Sequence, residues 1–356
     1  MNLKDHNMQG TDYRFETGMY RPPSEGGSNS LLLRFTRNCP WNKCAFCAMY
    51  KTEKFEKRSV EEIKADIDTM AVICDEIKEI SQQQGVAGIS RQAVIKFLGH
   101  HPELEDHPGF SMLLSWLVSG GGTAFLQDAN SMIMKTQDLI EALQHLRRKF
   151  PSINRVTTYA RSGTIARKTP EELTAIREAG LDRLHIGLES GDDELLKKIR
   201  KGADSQTHIQ GGRMAIEAGF QVSEYWMPGL GGQERWESHA RETARVLNEI
   251  NPHYIRSRPF RPLPGSALYE EYQKGTLQLL TPAQQLQELR LTVQGLEVTS
   301  RLCFDHAGNY WRGSGGGLLF SHDYEGYKFP EQKEHVLALI EDGLKYGQRI
   351  PTFLGL

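Results

Sequence analysis

Three cysteines on one short segment constrain this chain more than any other feature of its sequence. Cys39, Cys44 and Cys47 all lie within the run from Thr36 to Cys47. Three thiolates on one loop can hold three irons of a cubic [4Fe–4S] cluster, and the fourth iron is then left without a ligand from the protein. Because an open iron can bind a small molecule, the pattern favours a catalytic centre over simple electron storage.

Two other kinds of site could use the same thiols. A zinc site usually pairs a C-x2-C motif with a second pair or with histidines, whereas Cys44 and Cys47 have only Cys39 nearby. A redox-active dithiol normally begins a helix in a thioredoxin-like fold. We therefore expect Cys39, Cys44 and Cys47 to bind an iron–sulfur cluster.

The composition limits the class of protein. The 356 residues are 38% hydrophobic and 25% charged, with a formal net charge of −2, so a packed core is expected and a strong nucleic-acid or membrane attraction is not. Only five cysteines occur, which indicates a reducing compartment rather than a disulfide scaffold. The polar start of the chain and the absence of any apolar run of about 20 residues predict a cytoplasmic protein without membrane spans.

Short apolar segments alternate with amphipathic ones along most of the chain. The predicted strands are Leu31–Phe35, Thr123–Gln127, Arg155–Tyr159, Arg183–Leu188, Phe220–Trp226 and Tyr254–Arg258. Helices are expected between them, and capping boxes at Ser59–Glu62 and Thr169–Glu172 mark two of their starts. Residues 85–122 are less clear, with a possible strand at Ala93–Leu98 and a possible helix at Phe110–Val118.

Alternating strands and helices imply parallel pairing through right-handed crossovers. We therefore predict an α/β fold, a partial (β/α)6 TIM-type barrel with a mostly helical C-terminal extension. The expected division is an irregular N-terminal segment (1–30), the barrel core (31–268) and the helical extension (269–356). In such barrels the chemistry lies at the carboxyl ends of the strands, which is where the cysteine loop follows the first strand.

The motifs in this order resemble the radical S-adenosylmethionine (SAM) superfamily over about residues 31–268. Its members carry three cysteines after the first barrel strand, with an aromatic residue before the last one, and Phe46 matches that aromatic residue. The usual spacing is C-x3-C-x2-C, whereas this chain has C-x4-C-x2-C. The other similar segments are His185–Gly191, Met227–Glu234 and Arg261–Tyr269, the last of which resembles the coproporphyrinogen-oxidase-like and methylthiotransferase-like branches.

The resemblance implies an enzyme with a [4Fe–4S] cluster and SAM as cofactors. The open iron would chelate the amino and carboxylate groups of SAM, and one electron would cleave its carbon–sulfur bond to a 5′-deoxyadenosyl radical that abstracts hydrogen from the substrate. A donor such as flavodoxin or ferredoxin would supply the electron. A small-molecule substrate is favoured over a macromolecule. The alternatives are an iron–sulfur electron carrier that does not cleave SAM, and a zinc-stabilised binding module.

The resemblance also implies a SAM site at the strand ends. The expected SAM-binding residues are Asp128, Asn130, Arg161, Glu189, Gly229 and Gly231. Asp128 or Asn130 would accept a hydrogen bond from the SAM amino group, Glu189 would bind the ribose hydroxyls, and the glycines would allow close approach of the backbone. The competing interpretations are an Asx turn, ion pairs for Arg161 and Glu189, and a plain glycine turn.

Three arginines provide the only hint about the substrate. Arg256 and Arg258 are two residues apart on a predicted strand, so both side chains should point to the same face. Together with Arg261 they could bind a carboxylate or phosphate. Structural pairing with acidic groups on neighbouring strands is the alternative. Of the remaining cysteines, Cys74 lies on an apolar helical stripe and is expected to be packed in the core. Cys303 stands alone near residues 305–311, a stretch that could contact substrate, although packing of its aromatic residues is the favoured interpretation.

Overall fold

The computed structural model describes residues 13–18, 29–306, 308–346 and 348–349. An eight-stranded sheet lies at its centre, with the strands paired in chain order. The strands are β1 (Ser30–Arg34), β2 (Thr123–Gln127), β3 (Arg155–Ala160), β4 (Arg183–Glu189), β5 (Gln221–Trp226), β6 (Tyr254–Ser257), β7 (Arg301–Cys303) and β8 (Tyr327–Lys328). Strands β1 to β7 run parallel, and β8 is antiparallel to β7.

Helices connect the strands in the pattern of a partial (β/α)6 barrel, which confirms the predicted fold class. They are α1 (Val60–Gln83), α2 (Arg91–His100), α3 (Phe110–Val118), α4 (Thr136–Lys149), α5 (Ser162–Ile165), α6 (Pro170–Glu178), α7 (Asp193–Lys198), α8 (Ser205–Glu217), α9 (Gly232–Ile250), α10 (Ala267–Gln273), α11 (Pro282–Gly295) and α12 (Lys333–Tyr346). Both predicted capping boxes form, at the starts of α1 and α6. Over the described part of the chain, none of these helices is both long and apolar enough to cross a bilayer.

The possible strand at Ala93–Leu98 is wrong, because this segment lies in helix α2. The hydroxyl of Ser90 accepts a hydrogen bond from the backbone N–H of Ala93 and so caps the helix. The two buried residues of α2, Ala93 and Phe97, are four residues apart, which is the spacing of one helical face. The helix expected at Phe110–Val118 is confirmed as α3.

The two faces of the sheet carry different side chains. On the outer face, residues such as Leu184, Ile186 and Val222 join an apolar core with the surrounding helices. On the inner face, aromatic rings follow one another from strand to strand: Tyr159 to His185 with centroids 5.9 Å apart, and His185 to Tyr225 at 5.3 Å. The barrel interior is therefore packed with aromatic and polar groups rather than aliphatic ones.

The C-terminal extension is built onto the barrel. Its helices α11 and α12 share an apolar cluster with α9, and its strand β7 pairs with β6. At the other end of the chain, the described residues 13–18 form no helix or strand, yet Tyr13 and Phe15 are buried against the core. Both ends of the chain thus contribute to the packing around the barrel. The predicted domain boundaries remain predictions.

Candidate functional site

The predicted site residues meet at one edge of the sheet. The cysteine loop follows β1, Asp128 follows β2, Arg161 follows β3, Glu189 ends β4, and Gly229 lies three residues beyond β5. Because these strands are parallel and adjacent, their carboxyl ends share one rim of the barrel. The topology therefore brings together residues that lie up to 190 positions apart in the sequence.

The cysteine loop is fixed at several points. Asn38 and Asn42 adopt positive φ values of 67° and 46°, a conformation that asparagine tolerates better than most residues. The ammonium of Lys51 donates to the carbonyls of Asn42 and Cys44 at 2.9 and 3.0 Å. Between Cys44 and Cys47, the backbone of Ala45 is bonded to Ile199 and to Leu268. These contacts hold the loop against the residue that follows α7 and against the start of α10.

The three thiols are electrostatic neighbours. Cys44 is buried, whereas Cys39 and Cys47 are partly exposed. Burial raises the pKa of the Cys47 thiol, Cys44 and Cys39 raise it further, and the guanidinium of Arg258 lowers it. Cys74 and Cys303 are different, because burial raises the pKa of each thiol to about 12. The loop cysteines are thus the group suited to act together as ligands.

The chemistry of this donor set fits an iron–sulfur cluster. Among the described residues, no three His, Cys, Asp or Glu side chains converge on a single point as the ligands of one metal ion must. A cubic cluster does not need that convergence, because each corner iron takes its own thiolate. Cys39, Cys44 and Cys47 lie on one loop and can supply one thiolate to each of three irons.

Asp128 binds the start of the cysteine loop. Its side chain is 1% exposed, and its Oδ2 accepts hydrogen bonds from the guanidinium of Arg34 at 2.7 and 2.9 Å. The same oxygen accepts the backbone N–H of Asn38 at 2.7 Å, immediately before Cys39. The carboxylate therefore joins the end of β2 to the residue that precedes the first thiol.

Asn130 and Arg161 form a second connection across the rim. Asn130 is fully buried; its side chain donates to the hydroxyl of Thr164 at 2.9 Å and accepts the backbone N–H of Arg161 at 3.3 Å. The Arg161 guanidinium donates to the carbonyl of Lys201 at 2.6 Å and lies 5.1 Å from the Trp41 ring. Arg161 thus contacts the cysteine loop directly.

Glu189 forms a nearly buried ion pair with Lys201. Its Oε1 lies 2.9 Å from the Lys201 ammonium, and the two side chains are 9% and 8% exposed. A bulge at the end of β4 gives Glu189 a positive φ of 64°, which redirects its side chain. Lys201 also lies 6.0 Å from the ring of Phe46, between the second and third cysteines. The pair is therefore adjacent to the cysteine loop.

The two glycines after β5 have different surroundings. Gly229 has a φ of 87° and no heavy atom within 4 Å of the position that a Cβ would take, so only the backbone conformation requires glycine there. A Cβ on Gly231 would lie 3.0 Å from the carbonyl carbon of Arg235, at the start of α9. Gly229 is thus open to a ligand, whereas Gly231 permits close packing of the turn.

The structure gives the three arginines different roles. Arg256 is fully buried inside the barrel, where its guanidinium donates to Ser223 and Asp305 and lies 5.0 and 4.3 Å from the ring centroids of Tyr254 and Tyr324. Its Nη2 has no hydrogen-bond partner in the described structure. Arg258 lies close enough to Cys47 for its positive charge to lower the pKa of that thiol. Arg261 follows in the same connection.

Two buried residues of the site were missed from the sequence. The predicted motifs assign no role to Lys201 or to Glu288. Glu288 lies on α11 next to the apolar positions Leu286 and Leu289 and is fully buried. A carboxyl group in line with an apolar helix face is the signal that could have identified it.

Residues 114–244 match the family model of the radical SAM superfamily. The matched segment covers β2 to β5 and most of α9, and it begins after the cysteine loop, so loop and match are separate observations. A search of curated proteins finds no match.

Several solved structures are similar to the chain at low identity. They include an archaeal Elp3 from Methanocaldococcus infernus (14% identity, 70% of this chain and 62% of that chain, TM-score 0.47) and methylornithine synthase PylB (16%, 76% and 65%, 0.43). Coproporphyrinogen III oxidase HemN from Escherichia coli is a third (18%, 48% and 39%, 0.40). The chain spans less than two thirds of the length of each of these proteins.

Proposed function

We propose that this chain, which carries a radical SAM superfamily domain at residues 114–244, is a radical SAM enzyme with a [4Fe–4S] cluster on Cys39, Cys44 and Cys47. One observation carries the proposal: the three-cysteine loop follows the first strand of a partial barrel whose later strands match that superfamily. Superfamily membership supports an enzyme. The cluster, the cleavage of SAM and the substrate are parts of the proposal.

The chain's own residues would bind and orient the cofactor. The chemistry that the bound group supplies is one-electron cleavage of SAM to a 5′-deoxyadenosyl radical. Glu189 at the barrel rim would accept hydrogen bonds from the ribose hydroxyls, and the open backbone at Gly229 and the turn at Gly231 would receive the rest of the molecule. Arg161 would face the SAM carboxylate, and Asp128 or Asn130 its amino group.

We propose an anionic small molecule as substrate. Arg258 is near the cysteine loop, and Arg256 lies deeper in the barrel with an unpartnered Nη2. A carboxylate or phosphate is the group that a guanidinium recognises best. Arg261, in the connection after β6, would add a further positive charge. With Arg258 near the loop and Arg256 deeper in the barrel, these charges suit a substrate that lies between the cluster and the barrel interior.

The reductant would bind beside Trp41. The indole Nε1 of Trp41 donates to the carbonyl of Arg200 at 2.8 Å, and Lys43 and Arg161 lie 5.0 and 5.1 Å from the ring. A surface pocket of about 500 Å³ adjoins this ring and includes Lys197 and Arg200. These cations, of which Lys43 is on the loop that carries the thiols, suit an acidic electron carrier such as flavodoxin or ferredoxin.

Two carboxylates also line that pocket. Both are engaged at the start of α8, since Asp193 accepts hydrogen bonds from Ser205 and Asp204 accepts them from Thr207. With Lys43 and Arg161 beside the Trp41 ring, the face carries four cations against these two carboxylates, which leaves an excess of positive charge. The five unpaired cysteines support work in a reducing compartment, such as the cytoplasm.

Anaerobic reconstitution tests the function. Wild-type protein should bind iron and sulfide and form 5′-deoxyadenosine from SAM and dithionite, and Cys44→Ala and Cys47→Ala should lose both properties. Cys74→Ala is the matched control, since Cys74 is buried in α1, and it should keep both. Zinc without sulfide would indicate the zinc-stabilised module, and a reducible cluster without SAM cleavage would indicate the electron carrier.

A further inference from the structure

Four fully buried polar side chains lie beneath the turn that follows β5. They are Ser190 after β4, His239 and Thr243 on α9, and Glu288 on α11. The Oε2 of Glu288 accepts the backbone N–H of Gly229 at 2.6 Å. His239 Nε2 lies 3.1 Å from the carbonyl of Met227, in the same turn. A helix of the C-terminal extension thus reaches the backbone of the candidate SAM site.

The direction of the hydrogen bonds follows from the partners. A carbonyl only accepts, so His239 Nε2 carries the proton that bonds to Met227, and its Nδ1 accepts the hydroxyl of Ser190 at 2.8 Å. Burial lowers the pKa of His239 to about 4, which keeps the ring neutral. Ser190 Oγ in turn accepts the backbone N–H of Asp192 at 3.0 Å. The imidazole therefore links the ends of β4 and β5.

Among the described residues, no lysine or arginine pairs with Glu288 to balance a negative charge. Its Oε1 lies 3.5 Å from His239 Nε2 and has no hydrogen-bond partner within the described residues. Asp192 is the acidic group that raises the pKa of His239, and its carboxylate is paired with Arg235. Burial raises the pKa of Glu288 to about 8, although the Gly229 N–H lowers it. The carboxyl group is therefore mostly protonated at neutral pH.

We propose that Glu288 is a positioning residue for the SAM site: it holds the Met227–Gly231 turn, which His239 joins to the strand end at Glu189. The C-terminal extension is then a working part of the cofactor site, because α11 fixes the backbone that would contact SAM. The neutral form of Glu288 suits this role, since an ionised carboxylate would place an uncompensated charge under the turn. The inference rests on the proposed function only where SAM binding is measured, because the exchange experiment needs no SAM.

Hydrogen–deuterium exchange of the full chain tests the positioning without SAM. At pH 7, Glu288→Ala should speed amide exchange in residues 189–192 and 227–232 by about tenfold, with α1 unchanged. The near-isosteric Glu288→Gln should stay within about threefold of wild type, because its amide oxygen can still accept the Gly229 N–H. Faster exchange confined to α11, or no change in either variant, would overturn the inference.

SAM binding to cluster-loaded protein gives the second readout. Glu288→Ala should weaken SAM binding by about tenfold or more, with Glu288→Gln within about threefold. Wild-type affinity should fall above about pH 8 as Glu288 ionises, whereas Glu288→Gln should show no such fall. Glu341→Ala on α12, which removes an exposed pair with Arg290, is the control and should match wild type.

The outcomes separate this inference from the proposed function. If wild-type protein binds no SAM, the proposed function fails, and the exchange experiment still decides the positioning role. If Glu288→Ala does not fold, the pH profiles of wild type and Glu288→Gln decide it. Equal pH profiles for these two proteins, or a Glu288→Gln variant with unprotected turns, would contradict the role assigned to the neutral carboxyl group.

Discussion

The carboxylate of Asp128 accepts the backbone N–H of Asn38 at 2.7 Å, so the end of β2 is bonded to the residue that precedes the first cysteine of the loop. The same oxygen is bound by Arg34, at the end of β1. One buried carboxylate thus joins two neighbouring strand ends and the loop that follows the first of them. This relationship explains how a loop rich in positive-φ residues keeps its place on the rim.

Replacing Asp128 should disturb cluster binding. Asp128→Asn leaves Arg34 and the Asn38 N–H without their anionic acceptor, so we expect a loss of about 2–4 kcal/mol of unfolding free energy. Iron and sulfide per chain should fall with it. Urea unfolding of the apoprotein and metal analysis after reconstitution measure the two effects.

Asp68→Asn is the matched control. Asp68 pairs with His145 and Lys149, but its side chain is 44% exposed. An exposed pair contributes about 0.2–1 kcal/mol, so this variant should bind iron normally. Equal iron content in Asp128→Asn and Asp68→Asn would contradict the anchoring role of Asp128.

Removing Lys201 should leave Glu189 as an unpaired buried charge. Lys201→Met is expected to destabilise the fold by about 3–5 kcal/mol, the cost of breaking a buried ion pair from one side. The double variant Lys201→Met/Glu189→Gln should recover much of that loss, because no charge is then left alone. Chemical denaturation of wild type, Lys201→Met, Glu189→Gln and the double variant completes the double-mutant cycle.

Lys198→Met controls for the loss of a lysine in the same region. Its pair with Glu234 is exposed, at 39% and 75%, and should contribute about 0.2–1 kcal/mol. The expectation fails if Lys201→Met unfolds at the same denaturant concentration as Lys198→Met.

Adding one methyl group at Gly187 should break the Glu189–Lys201 pair. A Cβ there would meet the Glu189 carboxylate and lie 2.9 Å from the Lys201 ammonium. Gly187→Ala must therefore displace both charged groups, and we expect SAM affinity to drop about tenfold or more. Binding of SAM to reconstituted protein measures it.

Gly99→Ala provides the comparison for this substitution. Gly99 is in helix α2 with no atom within 4 Å of its Cβ position, so alanine should stabilise it by about 0.5–1 kcal/mol without changing SAM binding. Unchanged SAM affinity in Gly187→Ala would contradict the expectation that a methyl group there disturbs the SAM site through Glu189 and Lys201.

Glu224 should make the stability of the protein depend on pH. It is fully buried on β5, and neither carboxyl oxygen has a hydrogen-bond partner in the described structure. Burial raises its pKa well above the usual value, while Lys201 lowers it and Glu189 raises it. The folded protein therefore holds this proton more tightly than the unfolded chain, and stability is lost as pH rises from the unfolded pKa to the folded one.

Glu224→Gln should remove the part of the pH dependence that comes from Glu224, while Glu288, whose pKa burial also raises, keeps its own. Relative to wild type, the variant should gain stability at pH 8 and gain less at pH 5, as urea midpoints at the two pH values would show. Glu217→Gln, at an exposed position of α8, should match wild type at both. A Glu224→Gln variant with the same advantage at both pH values would exclude Glu224 as the source of the pH dependence.

Local signals predicted much of the fold. The Ser59 and Thr169 boxes located two helix starts because a cap depends on residues three positions apart. The predicted strand at Ala93–Leu98 is wrong because a short, mostly apolar run of six residues fits a strand and a helix equally well. The cap at Ser90 favours the helix. The order of the strands followed from their alternation with helices.

The contacts inside the site could not be predicted in the same way. Glu288 and Gly229 are 59 positions apart, and Asp128 and Asn38 are 90 positions apart. No periodicity or motif in a single sequence states which distant carboxylate accepts which N–H. The sequence identified the cysteine loop and the strand ends, but the groups that hold them in place required the three-dimensional arrangement.

Glu16 shows how far the support of the cysteine loop extends. Its carboxylate bonds to Arg34 at 2.8 Å and to Arg37 at 2.6 Å, and lies 3.5 Å from Arg58. A shortened protein that begins at residue 31, the predicted start of the barrel, would lack this shared counter-charge. Arg34, Arg37 and Arg58 would keep only their separate carboxylate partners next to the first thiol, so trimming the chain for expression or crystallisation should stop before residue 13.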